Sequence, residues 1–375
     1  MQWKVKFIDL YTQNYRIKKS ISKEIKKVFR ESAFILRDNV RKFEDKITKY
    51  LRVKYCIGLN SGTDALLMIM SQLNLKKKDE IIVPSHTYVA SVSAIKHVGA
   101  EPVFVDIRND YNIDPNCIES KITKRTKAIM VVHLNGRSCE MDKINKLAKR
   151  YKLYVIEDAA QSLGAKFKNK YVGNFGLASA FSLHPMKSLS VPGDGGFLTT
   201  NSKRIYSKIL LLRDHGRLNT NKGVKRICYG LNSRLDNLHA GIALIKLKYF
   251  KEWVKKRRLI AKYYTKNLIG LEKYGLLTPN FNNKKNFFFD TFNSYVIRVN
   301  NRSKFRRFMI KKGIEVFSHI DKGVHLEKNL YNKKIKLPVT EKIEKQIISL
   351  PIYPELKKTK QKYIVDAIKE FFEKK

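Results

Sequence analysis

The sequence predicts an α/β protein with a large domain on a mostly parallel sheet and a smaller C-terminal α+β domain. Between about residues 55 and 200, short β-branched runs alternate with amphipathic stretches, as they do in strand–helix–strand units. Beyond residue 250 the pattern changes to a long basic helix and fewer strands. The chain has 375 residues, of which 43% are hydrophobic, and this is enough to bury two cores.

The strands of the large domain are predicted from apolar runs that are bounded by turn residues. In chain order they cover residues 55–59, 80–84, 102–106, 128–133, 154–157 and 178–183. Helices are predicted between them. Residues 65–75 are apolar on nearly all sides, as a helix buried against a sheet would be, and residues 141–151 show a one-sided apolar pattern.

The domain boundary is predicted at residue 248, so that residues 1–248 form the large domain, with an N-terminal helical segment, and residues 249–375 form the small one. Ser303 and Thr359 are predicted N-caps, because a hydroxyl at that position can accept a free backbone N–H of the first helical turn. The predicted elements of the small domain are a helix over 251–268, an Asn- and Lys-rich loop over 280–286, a strand over 293–299, and helices over 303–312 and 359–372.

The net charge of +44 could indicate a nucleic-acid or membrane partner. The lysines, however, lie along nearly every segment, and the densest clusters, at residues 76–78 and 255–258, are only three or four residues long. This pattern is typical of a solvated basic surface, and neither a zinc-finger spacing nor an arginine-glycine tract is present. We therefore expect no nucleic-acid partner, although such a surface would attract a phosphate-bearing substrate.

Apolar runs such as residues 65–70 are too short to cross a bilayer, and the N-terminal residues lack the apolar centre of a signal peptide. A cytoplasmic protein without a membrane partner is expected. The four cysteines are scattered and form no CxxC pair, which argues against a zinc site or a disulfide framework. No metal is expected.

Residues 60–67 follow a predicted strand and open a predicted helix. Gly62 would let the backbone approach an anion, and Thr63 would supply a hydroxyl at the positive end of the helix. The segment therefore predicts a phosphate-binding cradle. An ordinary capped helix is the alternative, since Ser, Thr and Asp favour helix starts in any case.

A second pattern combines an acid and a lysine. Asp158 follows the apolar strand over 154–157, and Lys187 follows a later apolar strand and a proline, just before the glycine-rich residues 193–196. Such a pair suits pyridoxal 5'-phosphate (PLP), because a lysine amine forms a Schiff base with it and a carboxylate keeps its pyridine nitrogen protonated. A single lysine in a chain this basic would otherwise be a solvent-facing residue.

These motifs resemble those of the nucleotide-sugar aminotransferases of the DegT/DnrJ/StrS type, which have the aspartate aminotransferase fold, fold type I of the PLP enzymes. The similarity extends from residue 7 to residue 354. The motifs that carry it are SGTDAL at 61–66, VPSHTY at 83–88, GAEPVFVD at 99–106, IEDAAQ at 156–161, AFSLHPMK at 180–187, GDGG at 193–196 and LNSRLD at 231–236.

The resemblance implies a role for each matching position. Lys187 matches the lysine that holds PLP, Asp158 the partner of the pyridine nitrogen, and Gln161 a residue near the ring oxygen. Asn232 matches a residue that reaches the phosphate in the neighbouring subunit, which implies a homodimer with shared active sites. The remaining matches are Gly62, Thr63 and Ser182 as phosphate contacts, Tyr88 as the aromatic ring over the cofactor, and His184, His319 and His325 as residues on the substrate side.

The resemblance implies that L-glutamate donates an amino group to PLP and that the pyridoxamine form then aminates a nucleotide-linked keto sugar. The GDGG motif at 193–196 favours a 3-keto sugar. The expected substrate is a 6-deoxyhexose linked to dTDP or UDP, for surface polysaccharide, such as lipopolysaccharide O-antigen, or another glycoconjugate. A PLP-dependent sugar dehydratase of the same fold is an alternative, but its relatives carry histidine where this chain has Lys187. The second alternative function is that of a non-catalytic, basic protein with a regulatory or nucleic-acid-binding role.

The chain departs from the family on the expected substrate side. It has LNGR at residues 134–137 where many relatives have LYGQ, and it lacks the prolines that usually accompany His319 and His325. Arg37 replaces a common glycine, and Ser188 replaces the asparagine that often follows the lysine. The cofactor set is intact, so the sequence predicts the cofactor more firmly than the sugar.

Overall fold

The computed structural model describes residues 3–279, 287–331 and 334–373, so the predicted loop over 280–286 lies outside the described residues. The helices are α1 Leu10–Arg16, α2 Lys18–Arg30, α3 Asp38–Leu51, α4 Gly62–Ser71, α5 Val89–His97, α6 Met141–Arg150, α7 Lys203–Leu212, α8 Asn237–Leu268, α9 Arg302–Lys311, α10 Pro338–Glu344 and α11 Lys358–Glu373. The strands are β1 Tyr55–Leu59, β2 Glu80–Pro84, β3 Glu101–Val105, β4 Thr126–Val132, β5 Tyr154–Asp158, β6 Lys166–Phe167, β7 Lys170–Tyr171, β8 Ala178–Ser182, β9 Gly196–Thr200, β10 Arg217–Thr220, β11 Gly223–Arg226, β12 Leu276–Leu277, β13 Phe288–Phe289, β14 Tyr295–Val299 and β15 Ile347–Leu350.

The central sheet has seven strands in the order β1-β9-β8-β5-β4-β2-β3. Strands β8, β5, β4, β2 and β3 are parallel, and β9 pairs antiparallel with both β8 and β1. The predicted α/β class with a mostly parallel sheet is confirmed. All six predicted strands form within two residues of their expected bounds, but β9 was missed, because its sequence follows directly on a glycine-rich turn.

A second hydrophobic core contains the three-stranded sheet β12-β14-β15, which packs with α9, α11 and the C-terminal half of α8. This core includes Tyr264, Tyr295, Phe305 and Ile364. A β10–β11 hairpin projects separately after α7. Among the described residues no helix combines the length and the apolar character that crossing a membrane requires.

Helix α8 begins at Asn237, so the prediction that it starts at residue 251 was wrong. The basic one-sided pattern begins only at 251, whereas the first turns are buried on several sides, for example at Ala240 and Ala243. Phe250 packs in a core beside the central sheet and Tyr264 in the core beside β14, so one helix contributes to both cores. The predicted boundary at residue 248 falls within this helix, and the division into 1–248 and 249–375 stays a prediction.

Helix α4 begins at Gly62, within the segment 60–67 that was predicted to open a helix, and the Ser61 hydroxyl accepts the N–H of Asp64 and caps it. Two other helix starts differ from prediction. Helix α9 is capped by Asn301, whose side chain accepts the N–H of Lys304, and not by Ser303. Helix α11 begins at Lys358, which places Thr359 inside its first turn rather than at its N-cap.

Candidate active site

A cavity of about 390 Å³ lies at the carboxyl ends of β4, β5 and β8. This is the edge of a parallel sheet at which ligands bind in open α/β folds. Nine of the eleven predicted site residues line the cavity: Gly62, Thr63, Tyr88, Asp158, Gln161, Ser182, His184, Lys187 and His319. Asn232 and His325 do not line it.

One end of the cavity is formed by the start of α4. The free backbone N–H groups of a first helical turn, together with the hydroxyls of Thr63 and Ser182, make a site suited to an anion. Close packing explains the glycines here. A Cβ on Gly62 would lie 3.1 Å from the Cβ of Ser182, and a Cβ on Gly196 would collide with the backbone of Ser61 and Gly62. The predicted phosphate cradle therefore has a supporting geometry.

Asp158 is the last residue of β5 and is buried. Its Oδ2 accepts the hydroxyl of Ser91 at 2.7 Å, and its Oδ1 accepts the N–H of Ala160 at 3.1 Å. The Ser91 hydroxyl is in turn 2.7 Å from that of Thr87. These contacts fix the orientation of the carboxylate at the cavity wall, and Ser91 and Thr87 are supporting residues that the sequence analysis missed.

The neighbouring acid, Glu157, points to the other face of the sheet. Its carboxylate accepts the N–H groups of Gly173, Phe175 and Gly176 at 2.7–2.8 Å and the Ser179 hydroxyl at 2.8 Å. Burial by itself would raise the pKa of Glu157, but the hydrogen bonds, including that of His133 at 3.1 Å, lower it overall. Because adjacent residues of a strand face opposite sides of the sheet, Asp158 faces the cavity and Glu157 faces the protein interior.

Lys187 faces the cavity from the loop between β8 and β9. Its N–H donates to the carbonyl of His184 at 2.8 Å, which forms a tight turn. The next residue, Ser188, donates its N–H and its hydroxyl to Oδ1 of Asn293, at 3.1 and 3.0 Å. Asn293 precedes β14, so the segment before that strand anchors the lysine loop, a contact that was not predicted from the sequence.

Burial lowers the pKa of the Lys187 amine, and the negative charge of Asp158 partly opposes this effect. A lowered pKa makes the neutral amine more abundant near neutral pH, and the neutral amine is the nucleophilic form. The site therefore combines an amine of lowered pKa, an oriented carboxylate and a helix start suited to an anion in one cavity.

Tyr88 and Gln161 contribute to the sides of the cavity. Tyr88 lies at the N-terminus of α5, and 64% of its surface is exposed. A lone tyrosine after a strand is usually part of the core, but Tyr88 is not. Oε1 of Gln161 accepts the N–H of Asn135 at 3.0 Å, which fixes the amide beside the cavity.

The three histidines have different settings. His184 is exposed at the cavity, and its Nδ1 accepts the N–H of Met186 at 3.3 Å. Burial, with a contribution from the positive charge of Lys187, lowers the pKa of His319 to about 4. His325 lies elsewhere: its Nδ1 is 2.6 Å from the Ser85 hydroxyl, and the ring is buried. The structure thus brings two of the three histidines to the cavity, and the third ties the loop after β2 to the 3-10 helix Val324–Leu326.

Asn232 is exposed next to the β10–β11 hairpin and lies outside the cavity of its own chain. The adjacent Ser233 donates its hydroxyl to Asp64 at 2.6 Å, which holds this loop against the start of α4. An exposed residue close to the phosphate cradle is compatible with a contact to a second subunit, and that contact stays a prediction.

Arg137, one of the departures from the family pattern, is buried away from the cavity. It pairs with Asp290 at 2.7 Å and with Asp110 at 3.3 Å, and its guanidinium lies 3.8 Å from the Phe288 ring. It also borders a separate surface groove of about 650 Å³ along α8, which contains none of the predicted site residues. The arginine therefore contacts the segments around Asp110 and Asp290 and is not part of the cavity wall.

Comparisons with known proteins show the family to which the chain belongs. The model of the DegT/DnrJ/EryC1/StrS aminotransferase family matches residues 15–369. A protein of Aneurinibacillus thermoaerophilus, named dTDP-3-amino-3,6-dideoxy-alpha-D-galactopyranose transaminase, is 39% identical over 98% of this chain and 99% of its own. A Geobacillus stearothermophilus protein named a pleiotropic regulatory protein is 37% identical, over 98% of each chain. The crystal structure of S. venezuelae DesV in complex with a ketimine intermediate has a TM-score of 0.93 and 31% identity, with 100% of this chain and 99% of that chain covered.

Proposed function

Because the chain belongs to the DegT/DnrJ/EryC1/StrS aminotransferase family, we propose that it uses PLP to transfer an amino group from L-glutamate to a nucleotide-linked keto sugar. The observation that carries this proposal is the convergence of Lys187, Asp158 and the Gly62 cradle on one cavity. These three features come from different parts of the chain, and no simpler function requires all of them together.

The residues present fit PLP. The start of α4 with Thr63 and Ser182 would hold the phosphate, Asp158 would face the pyridine nitrogen, and Tyr88 would lie over the ring with Gln161 near its oxygen. When bound, the cofactor supplies an electron sink for a substrate carbanion. The protein supplies the orientation, since the Ser91 and Ala160 contacts fix Asp158.

Lys187 would hold the cofactor and also move the proton at the reacting carbon. Its amine is suited to both tasks, because its lowered pKa lets it accept a proton near neutral pH and return it. The reaction converts glutamate to 2-oxoglutarate and the sugar ketone to an amine. His184 and His319, at the cavity wall, are proposed to contact the sugar.

The sugar is proposed to carry its ketone at carbon 3 and to be a 6-deoxyhexose linked to dTDP or UDP. Two observations support this: the name of the Aneurinibacillus relative, and the position of Asp194 of the GDGG motif at the cavity wall. Such an amino sugar would serve surface polysaccharide, for example O-antigen, or another glycoconjugate.

Two alternatives are weaker. A sugar dehydratase of this fold would replace Lys187 with histidine. A regulatory role is suggested by the name of the Geobacillus relative, but a regulator that does not bind a cofactor has no need for Lys187, Asp158 and the cradle in one cavity.

Incubation with glutamate and a panel of dTDP- and UDP-linked 3-keto and 4-keto sugars is expected to give a single class of amino sugar. Mass spectrometry of the products and detection of 2-oxoglutarate provide the measurement. The Lys187→Ala protein is the matched control. If glutamate yields no 2-oxoglutarate with any sugar, the proposed function is wrong; if only 4-keto sugars react, the carbon 3 assignment is wrong.

We further propose a homodimer with shared active sites. The β10–β11 hairpin and the residues that follow it expose apolar side chains beside Asn232, and patches of this kind mark contact surfaces. The exposed side chains are Leu218, Val224, Ile227, Tyr229 and Leu231. Light scattering is expected to give twice the 43.7 kDa mass of the chain.

Mixed dimers test the sharing directly. Lys187→Ala and Asn232→Ala chains should each be inactive or weak alone, yet recover activity when mixed, because one site of the mixed dimer would then contain both native residues. Unmixed proteins at the same total concentration are the controls. Absence of recovery in verified mixed dimers, or full activity of a strict monomer, would contradict the shared site.

A further inference from the structure

Two positions at which this chain departs from the family pattern contact opposite ends of one short segment. Residues 290–293 lie between β13 and β14. At the first end, Arg137 pairs with Asp290 at 2.7 Å. At the other end, Ser188 donates its N–H and its hydroxyl to Oδ1 of Asn293, at 3.1 and 3.0 Å. This second contact is made by the residue that directly follows the proposed reactive lysine.

The contact with Asn293 fixes the backbone of Lys187. The N–H of Ser188 belongs to the peptide unit that starts at the Cα of Lys187, and a peptide unit is planar. The N–H of Lys187 itself donates to the carbonyl of His184 at 2.8 Å. The backbone is therefore held by hydrogen bonds on both sides of the Cα from which the lysine side chain projects.

The 290–293 segment has a conformation that its surroundings must maintain. Phe292 has a φ of +51°, in the left-handed region that bulky residues rarely adopt. Its carbonyl oxygen and that of Asn293 each lie 3.3 Å from Nη1 of Arg257, which also donates to the carbonyl of Ile352 at 2.6 Å. Gly136 packs directly against the segment, since a Cβ at this glycine would lie 2.6 Å from the Phe292 nitrogen. The loop after β4 and helix α8 thus both hold the segment.

Arg257 is a buried charge. Burial lowers its pKa to about 10, an effect that the charge of Glu355 partly opposes, so the guanidinium stays protonated near neutral pH. A buried charge is costly unless its donors have acceptors, and the carbonyls of Phe292 and Asn293 are two of them. A displaced segment would take these acceptors away, so Arg257 stabilises the conformation in which Asn293 reaches the lysine loop.

We propose that the 290–293 segment positions Lys187: Asn293 fixes the peptide that follows the lysine, and Arg257 holds Asn293 in place. Both act as positioning residues, because neither lines the cavity. The inference rests on the proposed function and adds to it a means of keeping the amine in its buried setting. The titratable side chains that share the cavity with this amine, and whose distances from it would change if the loop moved, are Tyr88, His133, Asp158, His184, Asp194 and His319.

Hydrogen exchange of the Ser188 amide tests the contact in protein that is free of cofactor and substrate. Asn293→Leu removes the acceptor and nearly keeps the size of the side chain, so this amide should exchange about tenfold faster, as expected for the loss of one hydrogen bond. Asn237→Leu is the matched control. Asn237 is also buried, and its side chain accepts the N–H of Asn39 at 2.9 Å and donates to the carbonyl of Ala33, so its loss should leave Ser188 unchanged.

Competitive acylation of Lys187 over a range of pH, read by peptide mass in the same cofactor-free protein, gives the pKa of the amine. Burial lowers this pKa, so a released loop should bring the amine to water and the pKa should rise in Asn293→Leu and Arg257→Met. Ser188→Ala removes only the hydroxyl bond and keeps the N–H bond, and should therefore retain the wild-type pKa, as should Asn237→Leu.

These two readings require no turnover, so they remain valid if the proposed amination is not found. Where amination is measured, kcat of Asn293→Leu should fall roughly 10- to 100-fold with KM for the keto sugar unchanged, because the amine is misplaced while the sugar contacts persist. Unchanged Ser188 exchange or an unchanged Lys187 pKa in folded Asn293→Leu would overturn the proposal, and so would an equal pKa rise in Asn237→Leu. If neither Asn293→Leu nor Arg257→Met folds, the wild-type Ser188 amide decides: slow exchange supports the proposal and fast exchange overturns it.

Discussion

Replacing Lys187 with alanine is expected to abolish amination while the protein stays folded and dimeric. The amine is the group proposed both to hold the cofactor and to move the proton, and no second lysine lines the cavity in the described part of the chain. The fold should tolerate the change, because the loop is held by its backbone turn to His184 and by the contacts of Ser188 with Asn293.

The measurement is the visible absorbance of the purified protein. The wild-type protein should show a band from cofactor bound to the lysine, which glutamate bleaches, and borohydride should fix the cofactor to the peptide that contains Lys187. The alanine variant should lose the band, the label and the activity. Circular dichroism and light scattering then confirm that its fold and assembly are unchanged.

Lys246 provides a matched control. It is also buried, burial lowers its pKa to about 8, and its Nζ lies 3.5 Å from the Ser190 hydroxyl in the same loop region, but it does not line the cavity. Lys246→Met should therefore keep the band and the label at Lys187. Labelling of Lys246, or ordinary amination by Lys187→Ala, would show that position in the cavity does not determine the reactive lysine.

The sequence predicts features that a local motif or the strand order decides. Gly62 and Thr63 lie at a helix start. Asp158 ends β5 and Lys187 follows β8, and these two strands are parallel neighbours, so their order brings both residues to the same edge of the sheet. Asn293 was not predictable, because its contact with Ser188 spans 105 residues and the asparagine lies in an ordinary turn before a strand.

Two other differences have similar causes. The sequence around His319 and His325 shows that both histidines are present but not which way each ring faces. In the structure, a short 3-10 helix at Val324–Leu326 turns the His325 ring away from the cavity and towards Ser85. The contact between Ser91 and Asp158 was not predicted, because a serine in a short helix does not by itself indicate a partner. The Thr87 hydroxyl, four residues earlier, is the one local feature that suggests a polar contact at this position.

The adjacent acids Glu157 and Asp158 allow stability and catalysis to be separated. Glu157→Gln should lower the free energy of unfolding by about 3 kcal/mol, since an amide cannot accept all the buried N–H donors that now converge on the carboxylate. The Glu157 pKa is lowered in the folded protein, so its stabilising contribution is present above the unfolded pKa of about 4.3 and is lost as the pH falls through the lower folded value.

Asp158→Asn should have the opposite profile: near-native stability, retained cofactor, and amination reduced roughly 100- to 10,000-fold. The amide keeps the size of the side chain and can still accept the Ser91 hydroxyl and the Ala160 N–H, so the fold and the cavity should persist. It cannot hold a pyridine nitrogen protonated by charge, which removes the electron sink.

Cofactor absorbance, thermal unfolding and turnover are measured together for both variants. Near-native turnover in Asp158→Asn would remove Asp158 from its proposed role, whereas loss of stability without loss of bound cofactor would mean that its contacts serve the fold instead.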